Sequence, residues 1–332
     1  MTKTRFDVTG IGNAIVDIIG RCDDAYLVKI GAAKGSMRLV DASEISRIYD
    51  GMGPATEISG GSAANTIAGV ASFGGRAAFI GKIADDEFGR IFAHDVRSIG
   101  VTFNAAPVKA SLPTSRSLIL VTPDGERTMN TFLGISTNFD SNHLDRDLIR
   151  DSAILYLEGY LFDRPDAKGA FREAVTEAKR ANRKVALSLS DGFCVDRHRG
   201  EFLELIRSGV DILFANENEI NSLYETTSFD ASAMAARRDA KLAVLTRSAL
   251  GSLVLSGDTE IAIPADPIAK VIDTTGAGDL YAAGFLFGLA RNLPLETCGR
   301  LASLAAAEVI SHIGARPEQS LAQLARTRQL IS

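Results

Sequence analysis

The chain has 332 residues, 46% of them hydrophobic, and is long enough to bury a large core as one big domain or two modest ones. Its net charge of −5 argues against a protein that binds nucleic acid or anionic membranes, because both tasks need a clustered positive surface. The three cysteines form no CxxC pair, so we expect neither a disulfide framework nor a zinc site. The N-terminus lacks a signal-peptide pattern, and no apolar stretch approaches the roughly 18 residues of a membrane span. We therefore expect a cytoplasmic protein.

Strand and helix patterns alternate along most of the chain, which is typical of units that wind a parallel sheet. Two regions, 16–40 and 101–132, break this alternation with strand-like segments joined by short turns, and Asp124-Gly125 predicts a hairpin in the second. Beyond them, the patterns predict strands at 153–157, 185–189, 211–215 and 242–245, a helix at 167–181, an edge hairpin formed by 253–255 and 260–263, and an almost entirely helical end from 279 to 332.

These elements predict an α/β fold, a three-layer αβα sandwich with a mostly parallel central sheet and a small β-sheet lid. The core would comprise residues 1–15, 41–100 and 133–332, and the lid residues 16–40 and 101–132. Neither a low-complexity linker nor an internal repeat interrupts the chain. We therefore predict one domain from which the lid grows.

The segment VIDTTGAGD, residues 271–279, leads from the end of an apolar strand through a glycine turn into a helix. Gly276 and Gly278 would let the backbone approach a ligand, and the N–H groups at the helix start favour an anion such as a phosphoryl group. Asp279 would stand beside that anion site, where a carboxylate can take a proton from an attacking hydroxyl. An isolated GAGD would favour a helix cap, but Asp273 and the other motifs favour catalysis.

Two further motifs place polar groups for a hydroxylated ligand. GGSAAN, residues 60–65, sets backbone N–H groups and Asn65 at the entrance of a helix, although Gly-Gly-Ser is more often a plain turn and cap. GIGNAIVD follows the first strand and fails the dinucleotide pattern GxGxxG, because Ile15 stands in place of the third glycine. Its Asn13 and Asp17 would instead bind sugar hydroxyls, unless Asp17 is only a turn residue.

Asn216 and Glu219 of the sequence NENE share a helical face at the carboxyl end of a buried strand, where open α/β sheets bind ligands. Glu219 would order magnesium through water. The same pair fits a capping box equally well.

A phosphate-binding lysine of the Walker type is missing, because Gly81-Lys82 lacks the preceding glycine and is followed by Ile83. Positive charge for phosphates would then come from magnesium and from arginines such as Arg127, which follows the lid hairpin and would fold over the site. Taken alone, Arg127 is better explained as a solvated hairpin charge.

GGSAAN, AAFIGKIADDEFG, NENE, TRSALGSLVL, DTTGAGD and ASLAAAEVISHIGA together resemble, in this order, the PfkB or ribokinase-like family of carbohydrate and nucleoside kinases. The resemblance covers nearly the whole chain and implies a kinase that uses ATP and Mg²⁺, with a mostly parallel sheet and a β lid. It implies that Asp279 is the base. The anion hole would be formed by the N–H groups of Gly276, Ala277 and Gly278.

The resemblance also implies two sets of binding residues. The acceptor's hydroxyls would be held by Asp17, Gly61 and Asn65. Magnesium and the phosphates would be organised by Asn216 and Glu219, and the ATP ribose and adenine would lie against Thr246, Gly251 and, as a weaker candidate, Ser303. Many members of the family also bind a monovalent cation such as K⁺ near the aspartate that matches Asp273.

Within the family, the details are more similar to adenosine kinases than to ribokinases or fructokinases. Residues 60–65 reproduce the GGS-x-x-N pattern of adenosine kinases, which adds Ser62 to the acceptor set. Phe132 after the lid strand and Tyr160 after a core strand would sandwich a flat purine. Both rings also fit ordinary core packing.

We therefore expect a kinase that phosphorylates a nucleoside hydroxyl, foremost adenosine to AMP. A sugar kinase of the same fold, acting on ribose, fructose or a sugar acid, is the alternative. A non-catalytic nucleoside or sugar sensor is disfavoured because a binder needs no base, and Ile15 disfavours an NAD-dependent oxidoreductase. The expected partners are ATP and a small nucleoside or sugar, with no nucleic acid and no membrane, in a monomer or homodimer.

Overall fold

The computed structural model describes residues 4–332. The strands are β1 (Phe6–Ile11), β2 (Ile15–Arg21), β3 (Met37–Leu39), β4 (Ala55–Gly60), β5 (Ala77–Ile80), β6 (Ser115–Val121), β7 (Arg127–Phe132), β8 (Ser152–Glu158), β9 (Lys184–Ser188), β10 (Ile212–Asn216), β11 (Leu242–Thr246), β12 (Ser252–Ser256) and β13 (Thr259–Ile263). The α-helices are α1 (Asp24–Ile30), α2 (Ala42–Asp50), α3 (Ser62–Ser72), α4 (Glu87–Ser98), α5 (Arg146–Arg150), α6 (Pro165–Arg180), α7 (Gly192–Ser208), α8 (Glu217–Leu223), α9 (Phe229–Asp239), α10 (Ala277–Ala290), α11 (Leu295–Val309) and α12 (Leu321–Thr327).

The larger of the two sheets has the strand order β13-β12-β11-β10-β9-β8-β1-β5. Its strands from β11 to β5 run parallel, and β12 and β13 add an antiparallel hairpin at one edge. The strands expected at 153–157, 185–189, 211–215 and 242–245, the helix at 167–181 and the edge hairpin are all present. The fold is therefore the predicted αβα sandwich with a mostly parallel central sheet.

Both faces of the central sheet are covered, which explains why its strands are apolar on both sides. Along β8, Ile154 and Tyr156 join a core with α3, α10 and α11, whereas Leu155 and Leu157 join a second core with α5 to α9. Helix α10 is apolar around most of its circumference and is buried from Leu280 to Gly288. This burial holds the helix in place and thereby fixes the position of its N-terminus.

The smaller sheet has the strand order β3-β7-β6-β2-β4. Strands β6 and β7 form the antiparallel hairpin predicted around Asp124-Gly125. The remaining pairs join segments far apart in sequence: β2 lies parallel to β6, β3 lies parallel to β7, and β2 pairs with β4 in antiparallel fashion. The expected lid regions thus contribute β2, β3, β6 and β7 to one sheet.

This sheet does not follow the predicted lid boundaries strictly. Strand β4 comes from the region 41–100 that was assigned to the core, yet it forms an edge of the smaller sheet. Thr102 and Val108 of the predicted lid form isolated bridges with Ala78 and Ala84 instead. Long-range pairing of this kind leaves no local mark in the sequence, and the division into core and lid stays a prediction.

No helix within residues 4–332 is both long and apolar enough to cross a membrane.

Candidate active site

A cavity of about 550 Å³ lies between the central sheet and the smaller sheet. Four parallel strands contribute their last residues to its wall, namely Glu158 of β8, Ser188 of β9, Asn216 of β10 and Thr246 of β11. The glycine turn before α10, the first turn of α3 and the inner face of the smaller sheet complete it. The carboxyl ends of parallel strands are the usual ligand site of such sheets.

The glycine turn before α10 has the geometry that the sequence predicts for an anion site. Gly276 is the N-cap of α10 with a φ of +79°, and a Cβ atom there would lie 2.8 Å from the Cβ of Ala315. Only glycine therefore fits this position. Gly276, Ala277 and Gly278 all line the cavity. The N–H of Ala277 donates to the carbonyl of Thr274 (3.2 Å), an internal contact that the sequence does not reveal.

Asp279 lies in the first turn of α10 and lines the cavity. It does not cap the helix, because Gly276 is the N-cap and no side chain caps α10. Its carboxylate instead accepts hydrogen bonds across the cavity floor from the Ser62 hydroxyl (2.6 Å) and the Asn65 amide (3.1 Å). Burial raises the pKa of Asp279, and these two bonds and the charge of Arg316 oppose that rise.

The first turn of α3 carries the GGSAAN residues to the same place. Gly61 has a φ of +96°, and a Cβ atom there would lie 2.3 Å from the carbonyl oxygen of Asn13. Ser62 and Asn65 follow on the helix face that meets Asp279. The Oδ1 atom of Asn65 is buried and makes no hydrogen bond within residues 4–332, so it remains available to a ligand hydroxyl.

Asp17 of β2 lies opposite, in the smaller sheet, and lines the cavity. Burial raises the pKa of Asp17 to about 6, although Arg316 and Arg127 lower it. Asp17 belongs to the paired part of β2, opposite Ile58 of β4, rather than to a turn. The structure therefore brings Asp17, Gly61, Ser62, Asn65 and Asp279 around one cavity.

Glu158 is a cavity residue that the sequence analysis missed. Its carboxylate accepts hydrogen bonds from the backbone N–H of Asn13 (2.8 Å), from the Asn13 amide (2.6 Å) and from the N–H of Ala63 (2.7 Å). It is fully buried, and burial raises the pKa of Glu158 to about 7. Glu158 thus ties the loop after β1 to the start of α3 and orients Asn13.

Asn216 and Glu219 form the capping box of α8 and also line the cavity, so the structural and the ligand-binding interpretations are compatible. The Glu219 carboxylate accepts from the Asn216 N–H (3.0 Å) and amide (2.6 Å). Burial, with Asp191 and Asp279 nearby, raises the pKa of Glu219 to about 7. A nearby cation would relieve this unfavourable burial of charge.

Residues 4–332 contain no cluster of three or more metal-ligating side chains. The single carboxylate of Glu219, with the amide of Asn216 beside it, suits magnesium that is held largely through water and substrate phosphates, which is the common mode for this ion.

Arg127 is not the solvated hairpin charge that its sequence context favours. Its buried guanidinium forms an ion pair with Asp273 and donates to the hydroxyl of Thr275 (2.9 Å). The strand β7 is thereby joined to the turn before α10. Arg127 itself does not line the cavity.

Asp273 is buried as well. Its carboxylate accepts from the N–H groups of Thr275 (3.0 Å) and Gly314 (2.8 Å) in addition to Arg127. The guanidinium already neutralises this buried carboxylate, so the residues present do not fit a monovalent cation bound directly to it. A K⁺ requirement stays a prediction without support from this arrangement.

Only some of the residues predicted to contact the adenine and ribose of ATP line the cavity. Thr246 lines the cavity, but Gly251 and Ser303 do not. The carbonyl of Gly251 accepts from Arg247 N–H (2.7 Å). The hydroxyl of Ser303 accepts from Asp266 N–H (2.8 Å) and donates to the carbonyl of Pro264 (3.0 Å), so its contacts shape the loop after β13.

The predicted pair of aromatic rings does not form. Tyr160 lines the cavity, and its hydroxyl donates to the carbonyl of Ser190 (3.2 Å). Phe132 is buried in the core instead and is not part of the cavity wall. Side chains alternate between the faces of a strand, and on β7 it is Met129 and Thr131 that face the cavity.

An apolar wall on the smaller sheet was missed. We use this name for the cavity-lining side chains of Ile15, Met37, Leu39, Met129 and Leu133. Met37 and Leu39 of the edge strand β3 are 53% and 60% exposed, although both are large and hydrophobic. The alternation of residues along each strand could have shown which side chains share a face. The sequence does not show which strands lie side by side, and the wall depends on that pairing.

Comparisons with known proteins show the family of the chain. Residues 24–321 match the family model described as pfkB family carbohydrate kinase. The adenosine kinase from Sinorhizobium meliloti is 52% identical in sequence, with a TM-score of 0.91 over 98% of this chain and 99% of that one. A probable sugar kinase from Rhizobium etli CFN 42 is 48% identical, with a TM-score of 0.92 over 99% of this chain and 100% of that one.

A curated relative, the adenosine kinase of Saccharomyces cerevisiae, is 26% identical over 327 residues, which cover 92% of this chain and 94% of that protein. The match to the family model extends over most of the chain, and the relatives are kinases whose acceptors carry hydroxyl groups. The chain belongs to the pfkB family of carbohydrate kinases and is a phosphotransferase with an alcohol group as acceptor.

Proposed function

We propose that this kinase transfers the γ-phosphoryl group of ATP to a hydroxyl of a nucleoside, foremost the 5′-hydroxyl of adenosine. The observation that carries this proposal is the position of Asp279, a carboxylate in the cavity that lies beside the glycine turn of α10 and is held by Ser62 and Asn65. A base beside an anion site meets the needs of phosphoryl transfer.

In the proposed reaction, Asp279 accepts the proton of the 5′-hydroxyl while that oxygen attacks the γ-phosphorus in line. The bond from the γ-phosphorus to the bridging oxygen breaks, and ADP leaves. The N–H groups at the start of α10 and the helix dipole stabilise the negative charge on the transferring group. Magnesium held near Asn216 and Glu219 would supply charge neutralisation for the phosphates.

The two ends of the cavity support a nucleoside as acceptor. The polar end, with Asp17 and the unpaired Oδ1 of Asn65, suits ribose hydroxyls. The apolar wall lies in the same cavity on the smaller sheet and suits the face of a base. A free sugar would leave that wall without a partner.

Asp279→Asn tests the base. Asparagine has the same shape, and because the Ser62 hydroxyl can accept as well as donate, the amide can keep both contacts of the carboxylate. We expect adenosine binding to survive in a calorimetric titration while turnover falls on the order of 100- to 10,000-fold. Near-normal turnover in this variant would sink the proposed mechanism.

The acceptor is tested by an ADP-release assay against adenosine, other nucleosides, ribose, fructose and sugar acids. Met129→Ala shortens the apolar wall and should weaken transition-state binding of adenosine, lowering its kcat/KM about tenfold or more and that of a sugar little. Phe132 is buried outside the cavity and should not discriminate between the two substrate classes. Fast turnover of a sugar, with none of adenosine, would assign the chain to the sugar kinases of its family.

A further inference from the structure

A short segment after α11, Gly314–Arg316, contacts both loops that form the floor of the cavity. The N–H of Gly314 donates to Asp273 (2.8 Å), just before the glycine turn of α10. Ala315 packs so closely against Gly276 of that turn that no side chain fits between them. The next residue, Arg316, turns to the other loop, at the start of α3.

Arg316 makes three hydrogen bonds there with its planar guanidinium. Its Nε donates to the carbonyl of Ser59 (2.9 Å), its Nη2 to the hydroxyl of Ser59 (2.9 Å), and its Nη1 to the carbonyl of Ala64 (2.7 Å). Ser59 is held from behind, because Asp95 accepts from its N–H (2.8 Å) and its hydroxyl (2.6 Å). A guanidinium has the fixed fork of donors that such a set of acceptors requires.

The residues between these anchor points are the ones that the proposed reaction needs. Ser59 precedes and Ala64 follows the turn that holds Gly61 and Ser62, so the guanidinium links the two ends of that turn. Ser62 then holds Asp279 through its hydroxyl. Arg316 does not line the cavity. It acts on the position of the Asp279 carboxylate indirectly, through this turn and Ser62.

The charge of Arg316 acts on the same carboxylates. The acidic groups around Asp279 are Asp17 on β2, Glu158 on β8 and Glu219 on α8. The positive charge of Arg316 lowers the pKa of both Asp17 and Asp279 and so opposes the rise that burial causes. Removing it should therefore raise the pKa of Asp279 further and move the ionisation of the base to higher pH.

We propose that Arg316 is a positioning residue of this kinase: its guanidinium fixes the turn from residue 60 to residue 63, and with it the acceptor site and Asp279. The inference rests on the proposed role of Asp279 as base. The geometric role needs the fork of donors, whereas the electrostatic role needs only a positive charge, so the two separate experimentally.

Arg316→Gln removes both the fork and the charge, and Arg316→Lys removes the fork alone. With adenosine as acceptor, we expect Arg316→Gln to lose on the order of 100-fold in kcat/KM, since a small displacement of a reacting group can cost that much. The acid limb of its kcat profile should move to higher pH. Arg316→Lys, which also lacks the fork, should raise the KM for adenosine as Arg316→Gln does, but it should keep the acid limb of the wild type.

Arg291→Gln is the matched control. Arg291 likewise donates to other parts of the chain, in its case to the carboxylate of Asp7 (3.4 Å) and the carbonyl of Gly74 (3.3 Å). It stands 12 residues after Asp279, about 18 Å farther along α10 at 1.5 Å per residue. We expect its KM and pH profile to match the wild type. Thermal unfolding of each variant by circular dichroism separates a loss of folded protein from a change in the site.

Ser59→Ala provides a milder variant in case Arg316→Gln folds poorly. It removes one of the three contacts of Arg316 and should raise the KM for adenosine less than Arg316→Lys does, with an unchanged pH profile. Wild-type KM and pH profile in folded Arg316→Gln, or an equal loss in Arg291→Gln, would overturn the proposal. Near-normal turnover by Asp279→Asn, measured alongside, would instead refute the assignment of the base.

Discussion

Replacing Glu158 by glutamine should change how the stability of the protein depends on pH. Glu158 is fully buried, and burial raises its pKa from the ordinary 4.5 to about 7, despite the N–H groups of Asn13 and Ala63 that favour the ionised form. Between these two pH values the folded protein binds more protons at this site than the unfolded chain does. Stability from this group is therefore greatest at low pH and is lost as the pH rises through the folded pKa.

The size of the effect follows from the shift. A change from 4.5 to about 7, at about 1.4 kcal/mol per pH unit, corresponds to about 3 kcal/mol of unfolding free energy. Most of it, about 2 to 3 kcal/mol, should be lost between about pH 5 and about pH 8. Glutamine does not titrate, so the difference in stability between wild type and Glu158→Gln should shift by that amount over this range.

Urea unfolding followed by far-UV circular dichroism measures this difference, since the chain has no tryptophan to report on unfolding. Glu296→Gln makes the same chemical change at an exposed position of α11 and should leave the pH dependence as it is. If the free energies of wild type and Glu158→Gln stay parallel from about pH 5 to about pH 8, burial does not raise the pKa of Glu158, and the reasoning is refuted.

Two substitutions probe the loops around the cavity. Gly61→Ala should abolish adenosine binding in calorimetry, because a Cβ atom would lie 2.3 Å from the carbonyl oxygen of Asn13 at a φ of +96°; unchanged affinity would contradict the tight packing of this turn. Arg127→Met should leave the Asp273 carboxylate buried without a cation and cost about 3–5 kcal/mol of unfolding free energy, measured by urea titration. A loss below about 1 kcal/mol, as for exposed pairs, would show that this pair is solvated.

The parts of the site that the sequence could predict are those written in contiguous motifs. Asp279 and Gly276 are six and three residues from Asp273, and this spacing already implies a turn that delivers a carboxylate to a helix start. Asn216 and Glu219 are three apart at the end of a buried strand, so their shared orientation is local as well. The fold followed from the same kind of local evidence, the alternation of strand and helix patterns.

The parts that could not be predicted depend on which segments meet in space. The apolar wall takes Met37 from β3 and Met129 from β7, strands that pair across a long stretch of sequence. Glu158 is a single acid at a strand end, and its bonds to Asn13 and Ala63 exist only once β1 and β8 are neighbours. Phe132 was predicted to face the cavity but faces the core, and its neighbour Thr131 faces the cavity instead. Which face of a strand points to the cavity depends on the register of its pairing.

The charge of the cavity explains why a divalent cation belongs in the proposed reaction. Among the residues described, 4–332, the lining is acidic with a single basic side chain, Arg197, and that one is paired with Asp163 (2.9 Å). The acidic members of the lining are Asp17, Glu158, Asp163, Asp191, Glu219 and Asp279.

Arg127 pairs with Asp273, Arg316 donates to Ser59 and Ala64, and neither lines the cavity, so a free nucleoside triphosphate would meet net repulsion there. Adding EDTA should therefore weaken ATP binding strongly and leave adenosine binding unchanged, because the nucleoside carries no charge. Calorimetric titrations with and without Mg²⁺ measure both. Equal ATP affinity in the two conditions would mean that the protein neutralises the phosphates by itself, contrary to the placement of its two guanidinium groups.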